Sequence, residues 1–421
     1  MSSILVVGAF AQAATAATPP APPPSPTPPV AAAAAAADVQ RGQTTYVDLD
    51  AGAGYSTNPQ FGFDGDSGAG FGRFSVRGVH TRFSARASTV LSAFAQTYFY
   101  TQDVGSQQSF SLNATHNARV NETLSLFGGL GLSYDKGGRL DTSFGGPSGI
   151  PFIPGQVDPS IILPPGSDFL SVTGKTFRAN TNFGGQWALN AREFITASSG
   201  LEYVSFDGGI DDSHYIGIPF SLGYDRQLST RTTIGGRVSA RYTDYDGPGN
   251  FRSVTPELTF QTALSATMTL TGGIGVSFAE ADDGVDTSRT TGITANLGLC
   301  SRGEKTSFCG RASIDQQTAT IAGPARTVNL GLNYSRQLGE DDSIQLSANA
   351  SRYSSPVIFT TGQAFSRSVY LRGAADYSRR IGNRLFAGVN VSGRKISQNG
   401  PDPDADFSGS LFVRYRIGDL R

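Results

Sequence analysis

The stretch RQLSTRTTIGGRVSARY, residues 226–242, decides the fold because its pattern recurs along the chain. Each copy has one apolar residue, a few small or polar residues and then a run with strand character. The apolar residues that open the seven copies are Phe83, Val120, Leu189, Leu228, Leu264, Leu338 and Ile381. They lie close to one or two periods of about 37 residues apart, a length that fits two strands, a short turn and a longer loop. The repeating unit is therefore predicted to be a β-hairpin.

Polar and apolar residues alternate in the strand-like runs. In residues 234–243 the even positions are apolar or small, while the odd positions include Arg237 and Arg241. Residues 407–417 alternate in the same way. The runs are longer than the five or six residues typical of soluble strands and reach the roughly 9 to 11 that a tilted membrane-spanning strand needs. Unpaired backbone groups are not tolerated in lipid, so the series must close on itself.

The pattern predicts an all-β fold, a closed antiparallel up-and-down transmembrane β-barrel. The interval between Leu264 and Leu338 spans two periods, and a variant turn with Cys300 and Cys309 lies between them. Eight short turns imply about 18 strands, with 16 as the alternative. The expected organisation is a signal peptide in residues 1–17, a disordered Pro/Ala-rich linker in 18–43 and the barrel in 44–421.

Composition excludes several classes of protein. Charged residues make up 16% of the chain, below the roughly 25% that is usual for soluble domains. The formal net charge is -1, so no nucleic-acid partner is expected. The sequence has no H-E-x-x-H, G-x-S-x-G or P-loop motif, and neither an enzymatic activity nor a cofactor is predicted.

The turn repeat, the alternation and the final stretch GSLFVRYRIG, residues 409–418, resemble Gram-negative outer-membrane β-barrel proteins of the porin type. The final stretch looks like the C-terminal signal that the barrel-assembly machinery reads. Within these proteins, the Cys-flanked hairpin is similar to that of a poorly characterised group. The resemblance implies location in the cell outer membrane, contact with outer-membrane lipid, assistance from the assembly machinery during biogenesis, and homo-oligomerisation as an option.

Three kinds of site follow from this interpretation. Cys300 and Cys309 are expected to form a structural disulfide in an oxidising compartment, with free thiols or a metal site as alternatives. Arginines with the polar parity are predicted to line the pore, where they would either favour anionic solutes or pair with lumenal acids such as Asp48, Asp50 and Asp376. These arginines are Arg73, Arg77, Arg178, Arg237, Arg241, Arg372, Arg394, Arg414 and Arg416.

Aromatic residues recur just before the turns. They are predicted to form a girdle at one membrane interface, although β-propensity alone would also favour them. The five residues are Trp187, Tyr224, Phe260, Tyr334 and Tyr377. The apolar, Pro-rich segment 140–169 is predicted to be a long external loop that folds into the mouth, contacts a neighbouring barrel or packs on the rim.

The leading functional hypothesis is a channel that passes small hydrophilic solutes, since a barrel of about 18 strands can hold an aqueous pore. One alternative is a conduit that exports a polysaccharide or other polymer. The other is a non-conducting structural or adhesive barrel.

Overall fold

In the computed structural model, residues 226–242 form the end of one strand, a tight turn and most of the next strand. The structure describes residues 42–59, 68–101, 105–136, 175–207, 213–246, 249–282, 287–319, 323–354, 367–398 and 404–419. Within these ranges no helix is long and apolar enough to cross a membrane. The expected signal peptide, almost all of the expected linker and the segment 140–169 lie outside the described residues.

Eighteen strands of 13 to 16 residues each account for nearly all of the described chain. Their bounds are β1 Gly42–Ser56, β2 Ala69–Phe83, β3 Ala87–Tyr100, β4 Ser106–Arg119, β5 Leu124–Lys136, β6 Lys175–Asn190, β7 Glu193–Asp207, β8 Ser213–Gln227, β9 Thr232–Tyr245, β10 Gly249–Ala263, β11 Met268–Asp282, β12 Thr287–Arg302, β13 Thr306–Ala319, β14 Gly323–Gln337, β15 Asp342–Ser354, β16 Arg367–Arg380, β17 Leu385–Gln398 and β18 Asp406–Gly418.

The strands form one closed antiparallel sheet. Each strand pairs with its neighbours in sequence, and β1 pairs with both β2 and β18, which closes the barrel. The prediction of an 18-strand up-and-down barrel is confirmed, and the alternative of 16 strands is wrong. β1 begins at Gly42, so the last two positions of the segment predicted as linker belong to the barrel.

The outer face of the barrel is apolar and the inner face is polar. Leu258, Leu411, Ile293 and Phe407 point outward and are 62–70% exposed. On β18 the burial alternates residue by residue, with the outward residues exposed and the inward ones buried over most of the strand. An apolar surface that encircles the whole molecule is far larger than a soluble monomer exposes. It matches the lipid-facing band of a transmembrane barrel.

Five of the eight short turns share one hydrogen-bonding scheme, which explains the repeat in the sequence. In the turn after β8, the Leu228 amide donates to the Thr232 carbonyl at 2.9 Å. The Ser229 hydroxyl accepts from the amides of Arg231 and Thr232 at 3.1 Å each. A side-chain oxygen thereby satisfies amides that the reversal leaves without a backbone acceptor. The same bond from the apolar residue's amide occurs at Val120, Leu264, Leu338 and Ile381, and Asn121 and Ser265 cap their turns as Ser229 does.

Each short turn also bonds to the next hairpin. The Arg231 carbonyl, at the end of the turn after β8, accepts from the Ala263 amide at the end of β10 at 2.8 Å. Equivalent bonds of 2.7–2.8 Å follow all eight short turns and link them into a ring; the acceptor carbonyls of the other seven belong to Arg86, Thr123, Arg192, Thr267, Lys305, Asp341 and Arg384. The cysteine-containing turn belongs to this ring, as its position in the repeat predicts.

The first copy of the repeat differs from the others. Phe83 has the same parity as the buried Val79 on β2 and therefore lies on the lumen face, whereas the other six apolar turn residues lie on the outer face and are about half exposed or more. Here the turn begins at Ser84, whose amide donates to the Ala87 carbonyl at 2.8 Å. The interpretation of Phe83 as the equivalent of Leu228 was wrong, because the turn after β2 is one residue shorter than the turn after β8.

Candidate functional site on the lumen wall

All nine arginines predicted to line the pore lie on the lumen face of their strands. The neighbouring residues show this directly: Phe74, Val238, Leu371 and Val413 are exposed on the outer face beside arginines that point the other way. Six of the nine are concentrated on five consecutive strands around the closure, from β16 through β18 and β1 to β2. These five strands are called here the arginine sector.

Two acids on β1 neutralise two of these arginines. Arg416 makes a two-pronged ion pair with Asp48, with Nε–Oδ1 and Nη2–Oδ2 distances of 2.7 and 2.8 Å. Arg414 Nε lies 2.6 Å from Asp50 Oδ1. The register explains both pairs, since Asp48 is directly opposite Arg416 and Asp50 is directly opposite Arg414. Both aspartates are nearly fully buried, so the sequence-based option of pairing with lumenal acids holds for these two.

Aromatic rings separate the guanidinium groups of the arginine sector. The Arg416 guanidinium lies 4.3 Å from the centre of the Tyr46 ring. The Phe412 ring has Arg414 at 5.3 Å and Arg73 at 5.6 Å from its centre. Each contact of this kind is worth about 0.5–2 kcal/mol, depending on how far it is desolvated. The rings therefore hold several like charges side by side on one wall.

A second charged cluster occupies the strands on the other side of the barrel. Arg241 on β9 pairs with Glu202 on β7, which also accepts a hydrogen bond from the Tyr215 hydroxyl at 3.1 Å. Arg237 lies directly opposite Glu257 on β10. Neither glutamate is among the residues predicted from the sequence to line the lumen. Their parity would have identified them, since Glu202 follows Leu201 and Glu257 precedes Leu258, both of which face outward.

The long-loop end of the arginine sector holds a buried polar network around Asp406. Arg394 Nε lies 2.8 Å from Asp406 Oδ2, and the two side chains are 9% and 2% exposed. Asp406 Oδ1 accepts from the Ser56 hydroxyl at 2.6 Å and from the Asn58 amide at 3.1 Å. Arg394 therefore interacts with the wall at β18 and, through Asp406, with the residues that follow β1.

The same network fixes the start of the connection between β1 and β2. The Pro59 carbonyl accepts from Arg394 Nη2 at 3.1 Å and from Gln107 Nε2 at 3.3 Å. Gln107 belongs to β4 and also accepts from the Tyr100 hydroxyl at 3.1 Å. Residues 57–59 are thus attached to lumen-facing side chains of two separate parts of the wall. Sequence reasoning missed this network because its members carry no repeat.

The two cysteines are joined in a disulfide. Cys300 on β12 and Cys309 on β13 are directly opposite each other, with a Cα–Cα distance of 4.1 Å. They have the parity opposite to that of the outward-facing Leu297 and therefore lie on the lumen face, near the short turn. The bond supports the expected structural role. Among the described residues, no group of three or more His, Cys, Asp or Glu side chains is placed to hold a metal ion.

The five predicted girdle aromatics all lie on the outer face at the short-turn end. Each is three residues before the last residue of its strand: Trp187 on β6, Tyr224 on β8, Phe260 on β10, Tyr334 on β14 and Tyr377 on β16. Trp187 is only two residues before Leu189, but it fits this rule because Leu189 lies inside β6 and does not follow the end of the strand. The register of β6 with β7 shifts between Ala188 and Asn190. A common position relative to the turns is the arrangement that an interfacial girdle requires.

No family model and no curated protein matches the sequence. Among solved structures, the apoprotein form of the FrpB iron transporter from Neisseria meningitidis matches with 11% identity and a TM-score of 0.44, over 84% of this chain and 62% of that one. This chain thus spans less than two thirds of the FrpB length. OccK2 from Pseudomonas aeruginosa matches with 10% identity and a TM-score of 0.41, over 90% and 98% of the two chains. The siderophore receptor PirA from Acinetobacter baumannii matches with 6% identity and a TM-score of 0.42, over 90% and 81%. With identities of 6–11% and TM-scores below 0.5, these matches carry no inference about the function of this chain.

Proposed function

We propose that this chain is an outer-membrane channel through which small hydrophilic solutes pass. The observation that carries the proposal is the closed 18-strand barrel with an apolar outer face and a wall of charged and polar side chains inside. Barrels of 16 to 18 strands enclose an aqueous channel when the lumen is not plugged. A charged inner wall is stable only if water or paired charges surround it, and a water-filled pore provides the water.

The ion pairs between arginines and acids on the lumen wall determine the ion selectivity that we expect. Asp48 and Asp50 neutralise Arg416 and Arg414, and Glu202 neutralises Arg241. Such pairs present little net charge to a passing ion, so the wild-type channel would discriminate only weakly between small anions and cations. Solute size would then matter more than charge.

The proposal includes the cellular setting. The chain would be exported, folded by the barrel-assembly machinery through β18, and inserted in the outer membrane of a Gram-negative bacterium. The short turns and both ends of the barrel sheet would then face the periplasm, as is usual for such barrels.

The experiment is conductance in a planar lipid bilayer, with full-length protein whose folding is verified by heat-modifiable migration on a gel. We expect discrete current steps. Folded protein that gives no steps would overturn the proposal in favour of a structural or adhesive barrel. Steps that shrink when long neutral polymers are added to the bath would instead identify a conduit for polymer export, because such polymers enter and obstruct a wide pore, whereas a pore for small solutes excludes them.

A variant with both Asp48→Asn and Asp50→Asn sharpens the test. It removes two negative charges beside Arg416 and Arg414, so the pore should become anion-selective. A rise of one kT in the potential of the lumen would multiply the anion-to-cation ratio about sevenfold. The reversal potential in a salt gradient measures this ratio. Asp341→Asn, at the exposed short-turn rim, is the matched control and should leave the reversal potential unchanged.

A further inference from the structure

Three strands end in the same outward-facing pattern at the short-turn end of the barrel. The sequences are YDRQL in residues 224–228 on β8, YSRQL in 334–338 on β14, and YSRRI in 377–381 on β16. Alternate residues of a strand share a face, so the tyrosine, the arginine and the last apolar residue of each copy all lie on the outside. The arginines Arg226, Arg336 and Arg379 are exposed there.

The position of these arginines defines what they meet in a membrane. Each lies two residues, or about 7 Å along the strand, beyond a tyrosine of the proposed girdle. Girdle aromatics mark the boundary between acyl chains and headgroups. The guanidinium groups therefore lie at headgroup level, where an exposed cation is attracted to an anionic partner, from the protein or from a lipid headgroup.

In two of the copies the protein supplies that anion. Arg226 faces Glu193 across the β7–β8 pair, with an Nε–Oε1 distance of 3.7 Å. Arg379 faces Asp342 across the β15–β16 pair, with an Nε–Oδ1 distance of 3.9 Å. Asp342 also accepts from the hydroxyl of Tyr377, the tyrosine of the same copy, at 2.6 Å.

The third copy has no carboxylate at this position. The residue directly opposite Arg336 on β13 is Thr306. Within the described part of the chain, no acidic group pairs with Arg336. On the outer face of β14, Arg336 therefore has Tyr334 two residues before it. Thr306, a neutral residue, occupies the position that an acid has in the other two copies. A phosphate diester at headgroup level would accept from a guanidinium with two parallel hydrogen bonds.

We propose that the outer surface formed by Tyr334, Arg336 and Thr306 binds the phosphate of an anionic phospholipid of the leaflet next to the short turns. The lipid phosphate takes the place that a carboxylate holds in the other two copies. The apolar residues above it on β14, including Leu330 and Leu332, contact the acyl chains. This surface needs only that the barrel is embedded in a membrane, and it does not depend on passage of solutes through the lumen.

The test is native mass spectrometry of the full-length protein in detergent, with phosphatidylglycerol as the probe and phosphatidylcholine as the neutral reference. Wild-type protein should retain phosphatidylglycerol preferentially. Arg336→Gln should lower the amount retained about fivefold, the contribution of one arginine at an anionic membrane surface. Heat-modifiable migration shows that each variant is folded.

The copies themselves provide matched variants. Thr306→Asp places an acid opposite Arg336, where the other two copies have Glu193 and Asp342 opposite their arginines. It should lower the retention of phosphatidylglycerol as strongly as Arg336→Gln does. Asp342→Ser, the converse change, should raise retention because it releases Arg379. An excess of glycerol 3-phosphate should not compete, since it has no acyl chains.

Retention that is unchanged in both Arg336→Gln and Thr306→Asp would overturn the proposal. Displacement of the lipid by glycerol 3-phosphate would also overturn it, because the surface would then be a site for free phosphate esters. Equal retention of the two lipids by the wild-type protein would show that charge is not recognised, with the same consequence.

Discussion

The two ends of the barrel reverse the chain in different ways. At the short-turn end, five turns repeat one hydrogen bond from the amide of an apolar residue, and a ring of bonds joins neighbouring hairpins. At the long-loop end, residues 57–59 are held by a single network around Asp406 that has no copy elsewhere in the described chain. One end is built from repetition and the other from contacts between residues about 350 positions apart.

Two ion pairs, one at each end of the barrel, show how burial changes the contribution of an ion pair to stability. Arg394–Asp406 and Arg380–Asp341 both have nitrogen–oxygen distances of 2.8 Å. The side chains of the first are 9% and 2% exposed, and those of the second are 41% and 50% exposed. An exposed pair contributes about 0–1 kcal/mol. Loss of one partner from a buried pair leaves a charge without compensation and costs about 3–5 kcal/mol.

The largest effect is therefore expected from Asp406→Ala. The substitution leaves Arg394 buried without its carboxylate and removes the acceptor of Ser56 and of the Asn58 amide, so the free energy of unfolding should fall by about 3–5 kcal/mol. Urea unfolding in detergent, followed by the fluorescence of Trp187, measures it. Asp341→Ala should cost less than about 1 kcal/mol. Equal losses in the two variants would show that the two ends do not differ in this respect.

Removal of the disulfide near the short turns is expected to have an intermediate effect on the free energy of unfolding. Closing the short loop between Cys300 and Cys309 is worth about 2–3 kcal/mol through the unfolded state. The double variant Cys300→Ala and Cys309→Ala should unfold at correspondingly lower urea. Wild-type protein measured with a thiol reductant should match the variant. A reductant effect on the double variant itself would point to a cause other than this bond.

The smallest effect is expected from a single turn cap. Ser229→Ala removes the acceptor of two amides and should lower the free energy of unfolding by about 1 kcal/mol, as the loss of comparable caps does. Ser229→Asn is the control, because Asn121 occupies the same position in the turn after β4. If asparagine destabilises as much as alanine, the shared capping scheme is not what stabilises these turns.

The sequence predicted the parts of the fold that repeat. The turn spacing and the alternation of faces led to 18 strands, including the cysteine-containing turn, and the parity of each strand placed the nine arginines on the lumen wall. These features follow from local rules that act on a few residues at a time. Phe83 is the exception among the turns, since the loss of one residue from its turn changes the face on which it lies.

The contacts that do not repeat could not be predicted. Asp406 meets Ser56 and Asn58 only because closure of the barrel brings β18 beside β1. Nothing in the local sequence around Asp406 or Asn58 indicates this meeting. The acids Glu202 and Glu257 fall between these cases: their parity identifies the lumen face, but the register of neighbouring strands decides which arginine each one meets.

The ring of hydrogen bonds at the short turns has a practical consequence for peptide display. The carbonyl that ends one turn belongs to the ladder of the adjacent hairpin, so a tag inserted after Ser229 would displace the Arg231 carbonyl and disturb Ala263. An epitope inserted in a short turn would thus disturb the adjacent hairpin as well as the hairpin that carries it. Grafted sequences belong at the opposite mouth of the cylinder, away from residues 57–59 and 404–406.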